Sequence, residues 1–474
     1  MKRIFSAESG TGVQPPSKCK KMHEYSSPTL YDDILLNILP FLHNRKEIIP
    51  ICSLVSKQWF DQCCKLPLSI KLTRGSTLNN LLFKNKLLSN LTQLDASNCY
   101  RLDDFVGLEC IRELCQCEEM RNLKSLILFA NEIDDECCKL IATSPYLKNL
   151  TRLDFGESEI REGIEYLANS ENCKNLRILK LESLFNANKS ILKALAYGKY
   201  FTNLTNLEIN DIFVDEALDF GQLTQLTSLC LEISYIKNME PITRNEHFKN
   251  LTSLNLCSNS FEREGCKEIA NSKYLNQLTY LNLGGCRIGD GIIDIANSPN
   301  MSNLSSLIIY HGLCTKQACK YLCESKYITK LTYLDISNND IGSEGVKMIV
   351  DSPNMINLTT LMIDNCGSDD SYNLISHSVF SNQLKIINID NFDWDIRGKF
   401  NGIEKLIFTT LEVANLTEVN LLFNDVFPKL RKIASYHETY FKRNSISGEI
   451  SSTPAGLKLF DKVYFSDEPS SDEE

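Results

Sequence analysis

One feature limits the fold more than any other. From Leu91 the pattern LxxLxL, with Ile, Ala or Phe replacing a leucine in some copies, returns at Leu123, Leu150, Leu176, Leu204, Leu226, Leu251, Leu278, Leu304, Leu331, Leu358 and Leu384. The 293 residues from Leu91 to Leu384 divide into 11 intervals of about 27 residues, a period typical of stacked repeats. Alternating apolar positions in each copy predict a short strand with one buried face. The strings FEREGCKEIANS, RIGDGIIDIANS and DIGSEGVKMIVDS, beginning at Phe261, Arg287 and Asp340, each place an Ile four residues after a Gly, the spacing of a short amphipathic helix. About 27 residues suffice for strand, helix and return to a parallel neighbour, and such crossovers are right-handed. The fold expected is an α/β solenoid. With parallel strands about 4.8 Å apart, eleven intervals give a sheet about 50 Å long with helices outside.

Eight residues beyond the first leucine stand Cys99, Asn131, Asn259, Cys286, Asn339 and Cys366. An amide there can bond the backbone where the chain turns away, and cysteine is a small, weakly bonding substitute. With these residues the pattern resembles the leucine-rich-repeat family, in its ribonuclease-inhibitor-like or cysteine-containing form. The resemblance implies a right-handed horseshoe with the parallel sheet on its concave face and helices outside, about 12 repeats over residues 91–395. Copies four, five and six depart from it with Leu184, Ile212 and Ser234 at the Asn/Cys position, and the interval from Leu204 to Leu226 is only 22 residues. A local irregularity is expected there. Beyond Leu384, fragments such as Ile403, Leu406 and Phe408, then Leu416, Val419, Leu421 and Asn424, predict degenerate repeats and a carboxyl-terminal cap over 396–444, since an end repeat must cover exposed core.

Charge and composition exclude several functions. The net charge is −10, opposite to the basic excess that phosphate contacts need, so nucleic acid is not expected as a partner. No signal peptide and no run of about 18 uncharged apolar residues is found; no membrane association is expected, and the chain reads as cytoplasmic or, from Lys18, Lys20 and Lys21, nuclear. In a reducing compartment the 19 cysteines read as small buried apolar residues, and the absence of CxxC weakens zinc or redox roles. The dense sets Cys63 with Cys64, Cys137 with Cys138, and Cys314, Cys319 and Cys323 are expected on buried helix faces. His23, His43, His247, His311, His377 and His437 are scattered, and no HExxH or phosphate loop occurs. No enzyme activity, metal or cofactor is expected. Asn149, Asn203, Asn250, Asn303 and Asn357 each precede Leu and then Ser or Thr; they match glycosylation acceptors because the sequence repeats.

Ahead of the repeats and a connector at 73–90, Leu30, Ile34, Leu35, Ile38, Leu39 and Leu42 share one helical face, followed by Leu54, Val55 and Trp59. The stretch Leu30–Phe60 resembles an F-box: Leu30, Asp33, Ile34 and Leu35 match its LPxEIL, and Leu54, Val55 and Trp59 its LVxxxW. It departs where Tyr31 replaces the usual Pro and where Pro40 removes a backbone donor late in the helix. The resemblance implies a small all-α domain at 27–72 whose Leu30, Ile34, Leu35, Ile38, Leu54, Val55 and Trp59 bind the adaptor of a cullin-type ubiquitin ligase. The repeats would then hold the substrate. The alternatives are a helical cap on a plain repeat scaffold or inhibitor and, more remotely, a GTPase activator of ribonuclease-inhibitor-like type.

The working surface follows from position. Residues two, four, six and seven beyond each first leucine are expected on the concave side or its rim. In copies three to six these include Asp154, Glu157, Glu182, Glu208, Asp211 and Glu232 against Arg152 and Lys180, a negative field suited to a basic protein segment. In copies eight to ten they include Tyr280, Tyr310, His311 and Tyr333, residues common at binding hot spots. Residues 1–26 and the acidic stretch 445–474, which ends in SDEPSSDEE, are expected to be flexible.

Overall fold

In the computed structural model the described residues are 67–72, 86–98, 107–183, 189–211, 219–367, 371–388, 401–407, 429–434, 439–443 and 450–452. The chain divides between Leu66 and Pro67 into two units. The first, with the F-box-like residues Leu30, Ile34, Leu35, Ile38, Leu54, Val55 and Trp59, lies outside the described residues.

The second unit is built on one open sheet. Its strands are β1 (Leu68–Lys71), β2 (Leu91–Asp95), β3 (Ser125–Ile127), β4 (Arg152–Asp154), β5 (Ile178–Glu182), β6 (Asn206–Asn210), β7 (Ser228–Cys230), β8 (Ser253–Asn255), β9 (Tyr280–Asn282), β10 (Ser306–Ile308), β11 (Tyr333–Asp335), β12 (Thr360–Met362), β13 (Ile386–Asn388), β14 (Lys405–Ile407), β15 (Lys432–Ala434), β16 (Thr439–Arg443) and β17 (Ile450–Ser452). Strands β1 to β15 pair in parallel in chain order. Strands β16 and β17 close the series in antiparallel pairing. The sheet therefore begins at Leu68, inside the last residues of the segment 27–72 expected to be helical, and it ends at Ser452, inside the segment 445–474 expected to be flexible. The rest of those two segments lies outside the described residues.

Helices alternate with the strands, among them Leu108–Gln116, Asp135–Thr143, Glu262–Asn271, Lys316–Glu324 and Gly342–Asp351. Packed helices stand about 8–10 Å apart and paired strands about 4.8 Å, so stacking the two together curves the layer with the sheet inside. Between the layers lies one continuous apolar core. In the copy at Leu331 it takes Leu331, Leu334, Ile336 and Ile341, all buried; each such side chain contributes about 1.5–3 kcal/mol. Gly291, ahead of the helical Ile295, permits close approach between repeats: a Cβ there would lie 3.0 Å from the Cα of Arg263 in the preceding helix. Among the described residues no helix is long and apolar enough to cross a membrane.

Polar columns lock the stack. Eight residues beyond the first leucine, Asn339 donates from Nδ2 to the carbonyls of Ile309, Ile336 and Ser337 and accepts at Oδ1 from the amides of Gly312 and Cys314. Asn259 bonds in the same manner to Leu231, Leu256 and Cys257. Cys286 and Cys366 each donate a thiol to the preceding repeat, at Leu256 and Ile336. Ser234, a departure from the family pattern, is buried and bonds the carbonyls of Ile209 and Glu232, so a hydroxyl supplies the missing amide. Cys99, Leu184 and Ile212 lie outside the described residues.

The glycosylation-like triplets form two further columns. Asn149, Asn203, Asn303 and Asn357 donate side-chain amides to carbonyls of the repeat before. Thr151, Thr205, Thr252, Ser305 and Thr359 do so with their hydroxyls. Their recurrence has a structural reason: each triplet closes hydrogen bonds between successive repeats.

Among the described residues of copies four to six, the departure from regularity is seen on the helical side. Strands β5, β6 and β7 stay in register, whereas the helix after β7 shrinks to Glu240–Thr243. A sheet demands one spacing of all its strands; a crossover can be shortened locally. Cys137, Cys138, Cys314 and Cys319 are buried and Cys323 half-buried, and burial pushes the Cys137 thiol up to about 12. Cys63 and Cys64 lie outside the described residues.

Candidate protein-binding face

On the sheet face turned away from the core, each copy offers the residues two and four beyond its first leucine, and the turn beyond offers the sixth and seventh. The seventh is the residue at which the chain leaves the strand. Asn98, Ala130, Glu157, Ser183, Asp211, Ile233, Ser258, His311, Asn338 and Asn365 all adopt positive φ there, and Gly285 supplies the same turn. This conformation lets their amides bond the next repeat, as Glu157 does to Glu182 and Asp211 to Glu232. Glu157 and Asp211 are therefore exposed rim residues, held by backbone geometry.

Cross-strand pairing divides the six acids further. Asp154, Lys180 and Glu208 are register partners on β4, β5 and β6. Lys180 forms an ion pair with Glu208, and Arg152 lies 3.4 Å from Asp154. Asp154 is only 7% exposed, which corrects its expected place among open groove carboxylates: its neighbours enclose it. Glu182 and Glu232 are the half-exposed acids left without an ion pair among the described residues. They stand two strands apart, about 10 Å. Asn255 donates to Glu232 at 3.3 Å and Asn210 to Glu208 at 3.1 Å.

Burial first, and then Glu208, raises the Glu182 carboxyl above its ordinary value, with Lys180 opposing. Burial likewise raises Asp154 and Asp335 despite backbone amides that favour their charged forms. A carboxyl whose pKa is higher folded than unfolded binds its proton more tightly in the native state. Its ionisation therefore works against the fold: the penalty is absent below the unfolded pKa and grows as pH rises through the folded pKa. Glu182→Gln is thus expected to raise Tm at about pH 7 and to leave it unchanged at about pH 4. Thermal unfolding of the two chains at both pH values checks this, and equal shifts at the two would contradict it.

The tyrosines adjoin the acids. Tyr280 and Tyr333 open β9 and β11 and flank Ser306 of β10 in register, so a small side chain forms the floor between two aromatic ones. Tyr310 follows β10 and reaches back across Gly284, where a Cβ would come within 2.4 Å of its ring. Its hydroxyl lies 2.7 Å from Cys257 Sγ, and His311 meets its ring edge-on at 6.1 Å. Burial is the first cause that raises the Tyr310 hydroxyl, and Glu232 adds to it. The acidic and aromatic groups are therefore one surface, joined through Cys257, Asn255 and Asn282. Charge and aromaticity alone did not single out those three; reading the fourth and sixth positions of every copy finds them.

Burial, then Glu208 and Glu232, pushes the Cys230 thiol up to about 12, unlike a nucleophilic thiolate. Among the described residues no group of three His, Cys, Asp or Glu could hold a metal ion. A cleft of ≈ 450 Å³ opens on the helical side, where Glu240–Thr243 is too short to cover Glu262–Asn271. Arg244 and Lys267 on its wall are paired with Glu240 and Glu264.

The repeat, its parallel sheet and its polar columns define a solenoid of stacked strand-and-helix repeats. Residues 275–293 and 327–350, which contain the copies at Leu278 and Leu331, match the family model described as Leucine Rich repeat. Among solved structures the chain is similar to an internalin, InlF, from Listeria monocytogenes, with 23% identity over 67% of this chain and 82% of that one and a TM-score of 0.44. It is also similar to internalin C2 from the same organism, with 18% identity over 40% of this chain and 83% of that one and a TM-score of 0.29. Neither likeness bears on activity. Among curated proteins none matches.

Proposed function

We propose that the chain is a non-catalytic protein-recognition solenoid whose sheet face, from β4 to β11, holds a partner protein through a basic segment. The observation that carries this reading is the pairing pattern of the face. Glu182 and Glu232 have no ion pair among the described residues, and Glu232 lies two strands from an aromatic notch at Tyr280, Ser306 and Tyr333, while neighbouring charges neutralise one another. A lysine or arginine set over the acids and an apolar side chain over Ser306 would use both halves. The test is partner association after charge reversal at Glu182 and Glu232.

The finer reading makes the solenoid the substrate receptor of a cullin-type ubiquitin ligase in the cytoplasm or nucleus. Its support is the F-box-like sequence, with Leu30, Ile34, Leu35, Ile38, Leu54, Val55 and Trp59 as the adaptor-binding set. Leu35→Asp in the full chain is expected to remove adaptor and cullin from the co-purified material and to leave the solenoid's partner bound. Unchanged recovery of the adaptor, or failure to recover it with the natural chain, leaves a plain repeat scaffold as the function.

A further inference from the structure

The residues six beyond each first leucine form a row along the sheet face, and the row is corrugated. Glu182 and Glu232 stand half-exposed in it, whereas Asn210 between them and Cys257 after Glu232 are only 6% and 1% exposed. Each end of this stretch carries a half-exposed aromatic ring seated on a glycine. Phe129 lies over Gly156, where a Cβ would come within 2.5 Å of its ring, as Tyr310 lies over Gly284. Gly156 follows β4 and Gly284 follows β9, five strand intervals or about 24 Å away. The protruding groups are evenly set: Glu182 ends β5, Glu232 follows β7 and the Tyr310 ring rests on the turn after β9. They recur at every second strand, about 9.6 Å. Residues 184–188 and 212–218, which follow the copies of Glu182 and Glu208, contain no lysine or arginine, and Lys180 is paired with Glu208.

That spacing selects the backbone of what binds. Strands β4 to β10 are paired on both sides, so no edge is open to an added strand and recognition falls to side chains. In a β-strand the side chains of one face recur at about 6.8 Å and then about 13.6 Å; neither distance meets two acids about 9.6 Å apart. A polyproline II helix has three residues per turn and a rise of about 3.1 Å, so one face recurs at about 9.3 Å. We infer that the trough between Phe129 and Tyr310 seats a polyproline II segment of about eight residues, with Lys or Arg at positions i and i+3 over Glu182 and Glu232 and a proline at i+6 on the Tyr310 ring; this rests on the binding of a basic segment proposed for the face. Opposite charges meet at the first two sites. At the third, a proline ring meets an aromatic one, the contact on which polyproline II recognition is built, and the segment is already extended before it binds. Buried Asn210 and Cys257 leave hollows beneath the residues between.

Ten-residue polyproline peptides that each carry two arginines, titrated into the full chain at about 50 mM salt and read by fluorescence anisotropy, test this. Arginines three apart are expected to bind at least about fivefold tighter than arginines two or four apart, because a wrong spacing turns the second arginine off the face and loses one pair. The same two arginines three apart in a Gly-Ser host should also bind more weakly, since that chain has to be ordered on binding. Glu182→Gln with Glu232→Gln should erase the ranking without lowering Tm. Gly284→Ala, whose Cβ displaces the Tyr310 ring, should weaken the three-apart peptide and keep its dependence on the two acids. Equal binding at all spacings, a preference for two or four, an unchanged affinity in Gly284→Ala, or no binding of any peptide would each overturn the inference. The basic-segment reading is judged separately: it survives any of these results if charge reversal at Glu182 and Glu232 still releases the partner protein, and falls if the partner stays bound.

Discussion

Replacing Asn339 by alanine is expected to destabilise the solenoid by about 3–5 kcal/mol, with the loss read in chemical denaturation. Its amide nitrogen serves three carbonyls and its oxygen two buried amides, those of Gly312 and Cys314. Alanine removes all five bonds and strands two amide donors away from water, and each stranded donor costs about 1–3 kcal/mol. Cys286→Ala at the equivalent position removes one bond of 3.0 Å to Leu256 and is expected to cost about 1 kcal/mol. Asn339→Cys should fall between the two. Because repeats couple chiefly to their neighbours, hydrogen exchange should quicken first in β10 and β11. Equal losses for Asn339→Ala and Cys286→Ala would mean that the column acts by filling space rather than by bonding.

Charge reversal of Glu182 and Glu232 to lysine carries the largest expected effect on binding. Each substitution exchanges an attraction for a repulsion of similar size. With exposed or half-exposed pairs worth about 0.5–1 kcal/mol, the two together change affinity by about 2–4 kcal/mol, roughly 30- to 1000-fold. The same change at Asp154 or Glu208 would confuse the result, since the first is nearly buried and the second holds Lys180. Unfolding of the double variant should be close to that of the natural chain, as both side chains lie on the sheet face away from the core. The affinity loss should shrink as salt rises. A partner that binds the double variant undiminished does not use the acids, and a loss of affinity that comes with unfolding would not count for the proposal.

Much of this architecture was legible in the sequence. Leucines at fixed offsets name the strands, since only one face of a strand can meet the core. The Asn and Cys positions mark where the chain turns, because a buried turn needs a side chain to satisfy its backbone. The tyrosines and acids of the face were found by the same counting. The helical side was less legible: the short spacing after Leu204 announces an irregularity, but not that the helix after β7 shrinks to Glu240–Thr243 while the strands keep their register.

The repeat period, the buried leucine columns and the list of residues on the open face came from the sequence alone, because each depends on offsets within one repeat. Tertiary structure decided which of those residues meet one another. Contacts across strands join residues that are one repeat apart, so Lys180 comes to neutralise Glu208, Tyr310 lies over Gly284 against Cys257, and Lys405 meets Lys432. At a strand spacing of about 4.8 Å, a single side chain alters the charge and shape that its neighbours present, and no reading of one copy by itself contains that information.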